Sequence, residues 1–231
     1  MSKSRGEALF RESPPFSAVV YDRLLRFDAM DVHYQELARD LASMIDQGRL
    51  LDVGTGPGRL LLETHRLKPD IELFGLDVAA SMVQQAKKTL TGIQADLRQG
   101  SIEHTTYTDN FFDMVAATGS FYLWDRPEAC LEEIHRILKP GHSACLYETH
   151  KDFDEAEFRR GLKANLHREN ILRRWFMPYF PRKAIEMSYH REEIVEIVKQ
   201  THFADSFTID EITLARLPIW LRIRLTKARL P

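Results

Sequence analysis

Asp52, Gly54, Gly56 and Asp77 have the types and spacing to do chemistry together. Leu50-Leu51-Asp52-Val53-Gly54-Thr55-Gly56-Pro57-Gly58-Arg59-Leu60 runs from an apolar stretch into three glycines and then into a helical pattern. Glycine has no side chain, so the backbone turns tightly there and a ligand can lie against it. The start of the following helix offers free N–H groups and a partial positive charge, which suit a carboxylate or a phosphate. The next apolar stretch ends in Phe74-Gly75-Leu76-Asp77, placing Asp77 23 residues beyond Gly54. An acidic residue about 20 residues on, at the end of a second strand, accepts hydrogen bonds from ribose hydroxyls. The combination points to a ligand containing adenosine.

Residue chemistry leaves a dinucleotide and S-adenosylmethionine (SAM) as alternatives, and three details favour SAM. Arg59 stands where the dinucleotide fingerprint places its third glycine. Asp52 precedes the first glycine, and a carboxylate there meets a cationic ligand well and a pyrophosphate badly. The loop also follows a helical arm instead of opening the chain.

The elements around the loop alternate. Pro14-Pro15 blocks a helix, so residues 1–15 read as a loose arm. Apolar residues from Val19 to Ile45 then recur at helical spacing, as one helix or two bent near Asp28, ending at Gly48. Strands are expected at 49–53, 71–76, 93–99, 111–117 and 143–149. Helices are expected at 58–67, 81–90 and 127–138, the last opened by Pro127 and stopped by Lys139-Pro140-Gly141. Such alternation implies a parallel sheet covered on both faces. Residues 151–187 are irregularly helical, with Trp175, Phe176, Tyr179 and Phe180 crowded together, and 192–199 resumes a helix. Residues 207–212 and 214–225 read as two closing strands, antiparallel because so short a turn joins them, with Pro218 weakening the second.

Several stretches resemble the class I SAM-dependent methyltransferases of the small-molecule type called methyltransferase-11 or UbiE-like. Leu51 to Gly58 is similar to that family's first motif, and Gly75-Leu76-Asp77-Val78-Ala79-Ala80-Ser81-Met82 to its second. Gln99 to Glu103 and Asp109 to Val115 are similar to its third and fourth, and Glu132 to Gly141 to its post-fourth segment. The likeness covers about residues 45–150 in the right order. It implies an α/β fold: a Rossmann-like, seven-stranded, mostly parallel sheet with helices on both faces and an antiparallel final strand. It also implies one domain over 1–231, divided into an N-terminal helical arm (1–47), a SAM-binding core (48–150), a helical insertion or lid (151–187) and a C-terminal helix with closing strands (188–231).

The resemblance also implies residue roles. Gly54, Thr55 and Gly56 lie under the methionine part of SAM, with Asp52 near its amino group. Asp77 holds the ribose, Val78 and Met82 pack on adenine, and Ser101 and Ile102 edge the ring. Thr118, Gly119 and Ser120 face the sulfonium, and Tyr21 either caps the carboxylate from the arm or packs the arm onto the core. The family usually has an acidic residue where Ser101 stands, which puts a direct bond from that side chain to the adenine amino group in question. Phe121-Tyr122-Leu123-Trp124 is either a wall of the acceptor pocket or core packing. Tyr122, Glu148 and His150 are the candidates for a catalytic group, against a solvated carboxylate and a capping histidine as plainer readings.

Composition narrows the partners. The chain has 231 residues, 44% of them hydrophobic, and a net charge of -2, so nothing global points to nucleic acid or an anionic membrane. Arginines and lysines do gather in 159–183 and 216–229, either as a solvated face or against an anionic acceptor, headgroup or RNA. Two cysteines are too few for a disulfide framework, and the nine histidines show no metal-ligand spacing, so no metal is expected. Residues 1–11 lack the apolar core of a signal peptide, and no run approaches the ~20 apolar residues of a membrane span. The expectation is a cytoplasmic enzyme, monomeric or homodimeric, that methylates a small molecule. A nucleotide-dependent oxidoreductase, an RNA methyltransferase and a non-catalytic SAM- or partner-binding module are the competing readings.

Overall fold

A computed structural model describes residues 28–167, 169, 174–175 and 178–229. The chain runs α1 (Asp28–Ala42), β1 (Gly48–Val53), α2 (Arg59–Leu67), β2 (Ile71–Asp77), α3 (Ala80–Thr89), β3 (Ala95–Gln99) and β4 (Phe112–Thr118). A single 3-10 turn (Phe121–Leu123) leads to α4 (Pro127–Ile137) and β5 (Leu138–Thr149). Then come α5 (Glu155–Leu166), α6 (Tyr179–Met187), α7 (Arg191–Lys199), β6 (Phe207–Leu214) and β7 (Leu217–Thr226).

The strands form one seven-stranded sheet in the order β3-β2-β1-β4-β5-β7-β6. β1 to β5 pair in parallel, and β7 is antiparallel to both its neighbours, β5 and β6. This is the expected Rossmann-like architecture. The period of two along each strand divides the core between the faces. Leu50, Met114, Ala116, Cys145 and Tyr147 pack against Leu37 and Leu41 of α1 and Leu60 and Leu61 of α2. Leu51, Val115, Ala117, Ala144 and Leu146 pack against Leu131 and Ile134 of α4 and Ile194 and Val198 of α7. Leu50 and Leu51 are both fully buried, each contributing about 2 kcal/mol of hydrophobic stabilisation. A strand buried on both faces must be apolar at successive positions, which is why β1 shows as a run without alternation.

Two boundaries differ from the sequence expectation. The first described helix ends at Ala42, ahead of Gly48, which opens β1 instead. The closing hairpin turns at Ala215 and Arg216, where the sequence suggested a break near 213. Both residues have left-handed backbone, with φ of 46° and 64°. That conformation costs a non-glycine residue roughly 1–2 kcal/mol, so no local propensity announces it. Tertiary contacts hold it: the Ala215 N–H donates to Glu36 of α1 at 2.7 Å, and Asn165 of α5 donates to the Ala215 carbonyl at 2.7 Å. Pro218 sits at the register shift between β6 and β7, just ahead of the pairing of Trp220 with Thr149 in β5, so its missing N–H disturbs little.

Helix α5 lies within the 151–187 segment and is tightly packed. Phe158 is fully buried, and a Cβ on Gly161 would collide with the Arg216 carbonyl oxygen. Its basic face is largely neutralised by neighbours: Arg159 and Arg182 pair with Glu155, and Arg160 with Glu157. In the tail, Arg222 joins Asp40 at 2.8 Å and Asp210 at 3.0 Å. Among the described residues no helix is long and apolar enough to cross a membrane.

Candidate functional site

The parallel strands converge on a cavity of about 320 Å3 at their C-terminal ends, within the range of small-molecule sites. The loop after β1 forms its floor. Gly54 and Thr55 donate their N–H groups to the Leu76 carbonyl at 2.8 and 3.1 Å, tying this loop to the end of β2. Gly54 has φ of 71°, and a Cβ there would come within 2.7 Å of Ser120 Cβ, so glycine is required twice over.

Asp77 closes the floor from β2. Its Oδ2 accepts the Gly56 N–H at 2.8 Å and its Oδ1 the Ala79 N–H at 2.9 Å. One carboxylate therefore fixes both the glycine loop and the start of α3. Burial raises its pKa against the pull of these two donors. Asp52 is 2% exposed and lines the same cavity. Burial pushes its carboxyl up to about 7, with the nearby charge of Asp77 adding to the rise. A cation placed between these groups would relieve both.

Twelve of the sequence-predicted residues line the cavity: Asp52, Gly54, Thr55, Gly56, Asp77, Val78, Met82, Ser101, Ile102, Thr118, Gly119 and Ser120. Tyr21 lies outside the described residues. From the same N-terminal region, Tyr34 of α1 reaches the cavity. Ser101 spends its Oγ accepting the Glu103 N–H at 3.2 Å. Glu103, the last residue of the third-motif stretch and given no role there, also lines the cavity and pairs with Arg126. His104, Leu123, Trp124, Asp125 and Cys130 complete that end. Leu123 and Trp124 belong to the stretch that the sequence offers as a pocket wall or as core packing; the others carry no spacing signal, because they come from loops and a helix that meet only in the fold. Burial lifts the Cys130 thiol to about 12, so it is a neutral wall group.

Tyr122, Glu148 and His150 are not among the cavity-lining residues. Glu148 is 1% exposed, and its Oε1 accepts the N–H groups of Ser120 and Phe121, each at 2.9 Å. It thereby sets the turn after β4, while the Ser120 hydroxyl reaches the Val53 carbonyl at 3.2 Å. Burial raises the Glu148 carboxyl to about 8. His150 is equally buried, lowered in pKa by burial, and its Nδ1 meets no hydrogen-bond partner among the described residues. Tyr147 points to the other face, where its hydroxyl donates to Asp40 at 2.6 Å. No described residue of 151–187 lines the cavity.

The cavity fits SAM by its own chemistry. Thr118 Oγ1 is buried on its wall with no partner among the described residues, and Asp52 and Asp77 supply the anionic side that a cationic adenosine ligand needs.

Comparison with known proteins agrees with this geometry. Residues 51–146 match a family model described as a methyltransferase domain. The methyltransferase YdaC of Bacillus subtilis is 31% identical over 97 residues, covering 42% of this chain and 54% of that protein. The demethylmenaquinone methyltransferase of Lactiplantibacillus plantarum is 33% identical over 138 residues, covering 56% of this chain and 57% of that protein. The chain thus spans about half the length of these curated relatives. A Methanococcus maripaludis protein described as a SAM-dependent methyltransferase shares the fold over 100% of this chain and 99% of its own, with a TM-score of 0.71 at 21% identity. Through residues 51–146 the chain is similar to the methyltransferase domain of that family model, and it shares the fold of SAM-dependent methyltransferases.

Proposed function

We propose that the protein transfers the methyl group of SAM to a small aromatic acceptor. The observation that carries this reading is the anchoring of Asp77 to Gly56 and Ala79 beside the buried Asp52, in a cavity floored by glycines. When bound, SAM supplies an electrophilic methyl on a sulfonium and leaves as a neutral thioether, so acid catalysis of departure is unnecessary.

The chain's own residues then have three tasks. Gly54, Thr55 and Gly56 hold the methionine part, with Asp52 against its ammonium. Asp77 holds the ribose, and Val78, Met82, Ser101 and Ile102 hold the adenine. Thr118, Gly119 and Ser120 wall the sulfonium end, where alignment of donor and acceptor supplies most of the acceleration. Glu148 acts there as a positioning residue, through the two N–H groups it accepts.

Leu123 and Trp124 give the far end an apolar, aromatic wall. That suits a flat ring, and the quinone-related name of the Lactiplantibacillus relative supports the same acceptor class. The acceptor reading is tested by offering hydroquinones, phenols and basic peptides with SAM and reading the mass gain of one methyl group. Methylation of the ring compounds alone is expected. Methylation of peptides alone, or of nothing while the demethylated product of SAM still binds, overturns it.

A further inference from the structure

Outside the cavity, helix α4 carries an acid and an imidazole on one side. Glu132 and His135 stand three positions apart, which places them on neighbouring turns of one face. The fold brings a third group to them: His202, from the turn between α7 and β6. The His202 N–H donates to Glu132 Oε1 at 2.9 Å, and its Nδ1 lies 2.5 Å from Oε2. A ring nitrogen this close to a carboxylate donates to it, so Glu132 and His202 already face each other. The His135 ring lies nearly parallel to that of His202, with centroids 4.9 Å apart and planes at 17°. Phe203 meets the His135 ring edge-on at 5.2 Å.

One donor atom from each of the three residues lies within 4.8 Å of the others. Zinc binds imidazole nitrogen and carboxylate oxygen at about 2.0–2.2 Å, so tetrahedral ligands stand roughly 3.3 Å apart. Sharing one ion at that spacing requires the exposed His202 ring to turn from its present contact with Glu132 and its stack on His135. We propose that Glu132, His135 and His202 form a divalent-cation site of zinc type, completed by water, that pins the α7–β6 connection to α4. Two imidazoles and one carboxylate suit zinc, nickel or copper and suit magnesium or calcium poorly. No spacing in the sequence shows the site, because the third ligand comes from a distant turn. None of the three residues lines the cavity, so the inference stands apart from the proposed reaction.

Zinc titrated by calorimetry into the full chain, after chelation and dialysis, is expected to bind at one equivalent with micromolar affinity and to raise Tm. Cobalt in its place is expected to show the visible absorption of a four-coordinate ion. His202→Ala and His135→Ala should each weaken zinc binding by about tenfold or more. His202 is exposed, so its variant should keep the circular dichroism spectrum of the parent. Binding no tighter than millimolar, or unchanged affinity in a folded His202→Ala protein, means an adventitious ion only and overturns the proposal.

Discussion

The two ends of the cavity are built on different principles. At the end formed by β1 and β2, residues close in sequence make the site: the Gly54–Gly58 loop, and Asp77 bonded to Gly56 and Ala79. At the end formed by β4 and β5, residues far apart make it: Glu148 sets Ser120 and Phe121 from another strand, and Phe121 packs on Trp124 and Tyr189. The first end is a local motif, written in residues near one another in sequence. The second is a product of packing between distant segments.

The sharpest way to break this comparison is Asp77→Ala. The substitution removes the proposed ribose acceptor and leaves the Gly56 and Ala79 N–H groups without their bond. A loss of about 1.5–3 kcal/mol in SAM binding is expected, about tenfold or more in dissociation constant by calorimetry. An unchanged dissociation constant in a folded variant would remove Asp77 from the site.

The Asp52 carboxyl gives a pH-dependent test of the same end. With its pKa raised to about 7 in the empty site, it is mostly protonated below neutrality. A bound ammonium favours the charged form, so binding releases a proton and tightens as pH rises from 5 towards 7, by at most about tenfold per pH unit. In Asp52→Asn the slope should vanish. A slope that survives in the variant would show that another group titrates.

The smallest expected effect lies at the packed end, and it separates positioning from acid–base chemistry. Glu148→Gln keeps an oxygen for the two N–H groups, whereas Glu148→Leu leaves them unsatisfied and should cost about 1–3 kcal/mol in thermal unfolding. Burial raises the Glu148 pKa in the fold above its unfolded value. The native protein therefore favours the protonated form and loses stability as pH rises from about 4.5 to about 8. The Gln variant should lack that loss, so its Tm relative to the parent should improve with pH. As a positioning residue Glu148 can be replaced by glutamine with little change in methyl transfer. If Glu148→Gln abolished turnover with binding intact, Glu148 would instead be the base.

The sequence by itself determined the sheet, its order of strands and helices, and the floor of the cavity. Those features rest on periodicity and on glycines and carboxylates at fixed spacing, which are local and survive in one dimension. Only the tertiary structure decided the rest. It placed the hairpin turn on Ala215 and Arg216, where bonds from Glu36 and Asn165 override the backbone preference of both residues. It kept Glu148 and His150 away from the cavity wall, and it brought Tyr34, Glu103 and His104 to that wall. Strand alternation shows which residues share a face, but which loop meets that face depends on contacts between distant segments. Burial, which sets the charge of Asp52 and Glu148, is a property of those contacts and not of the residues.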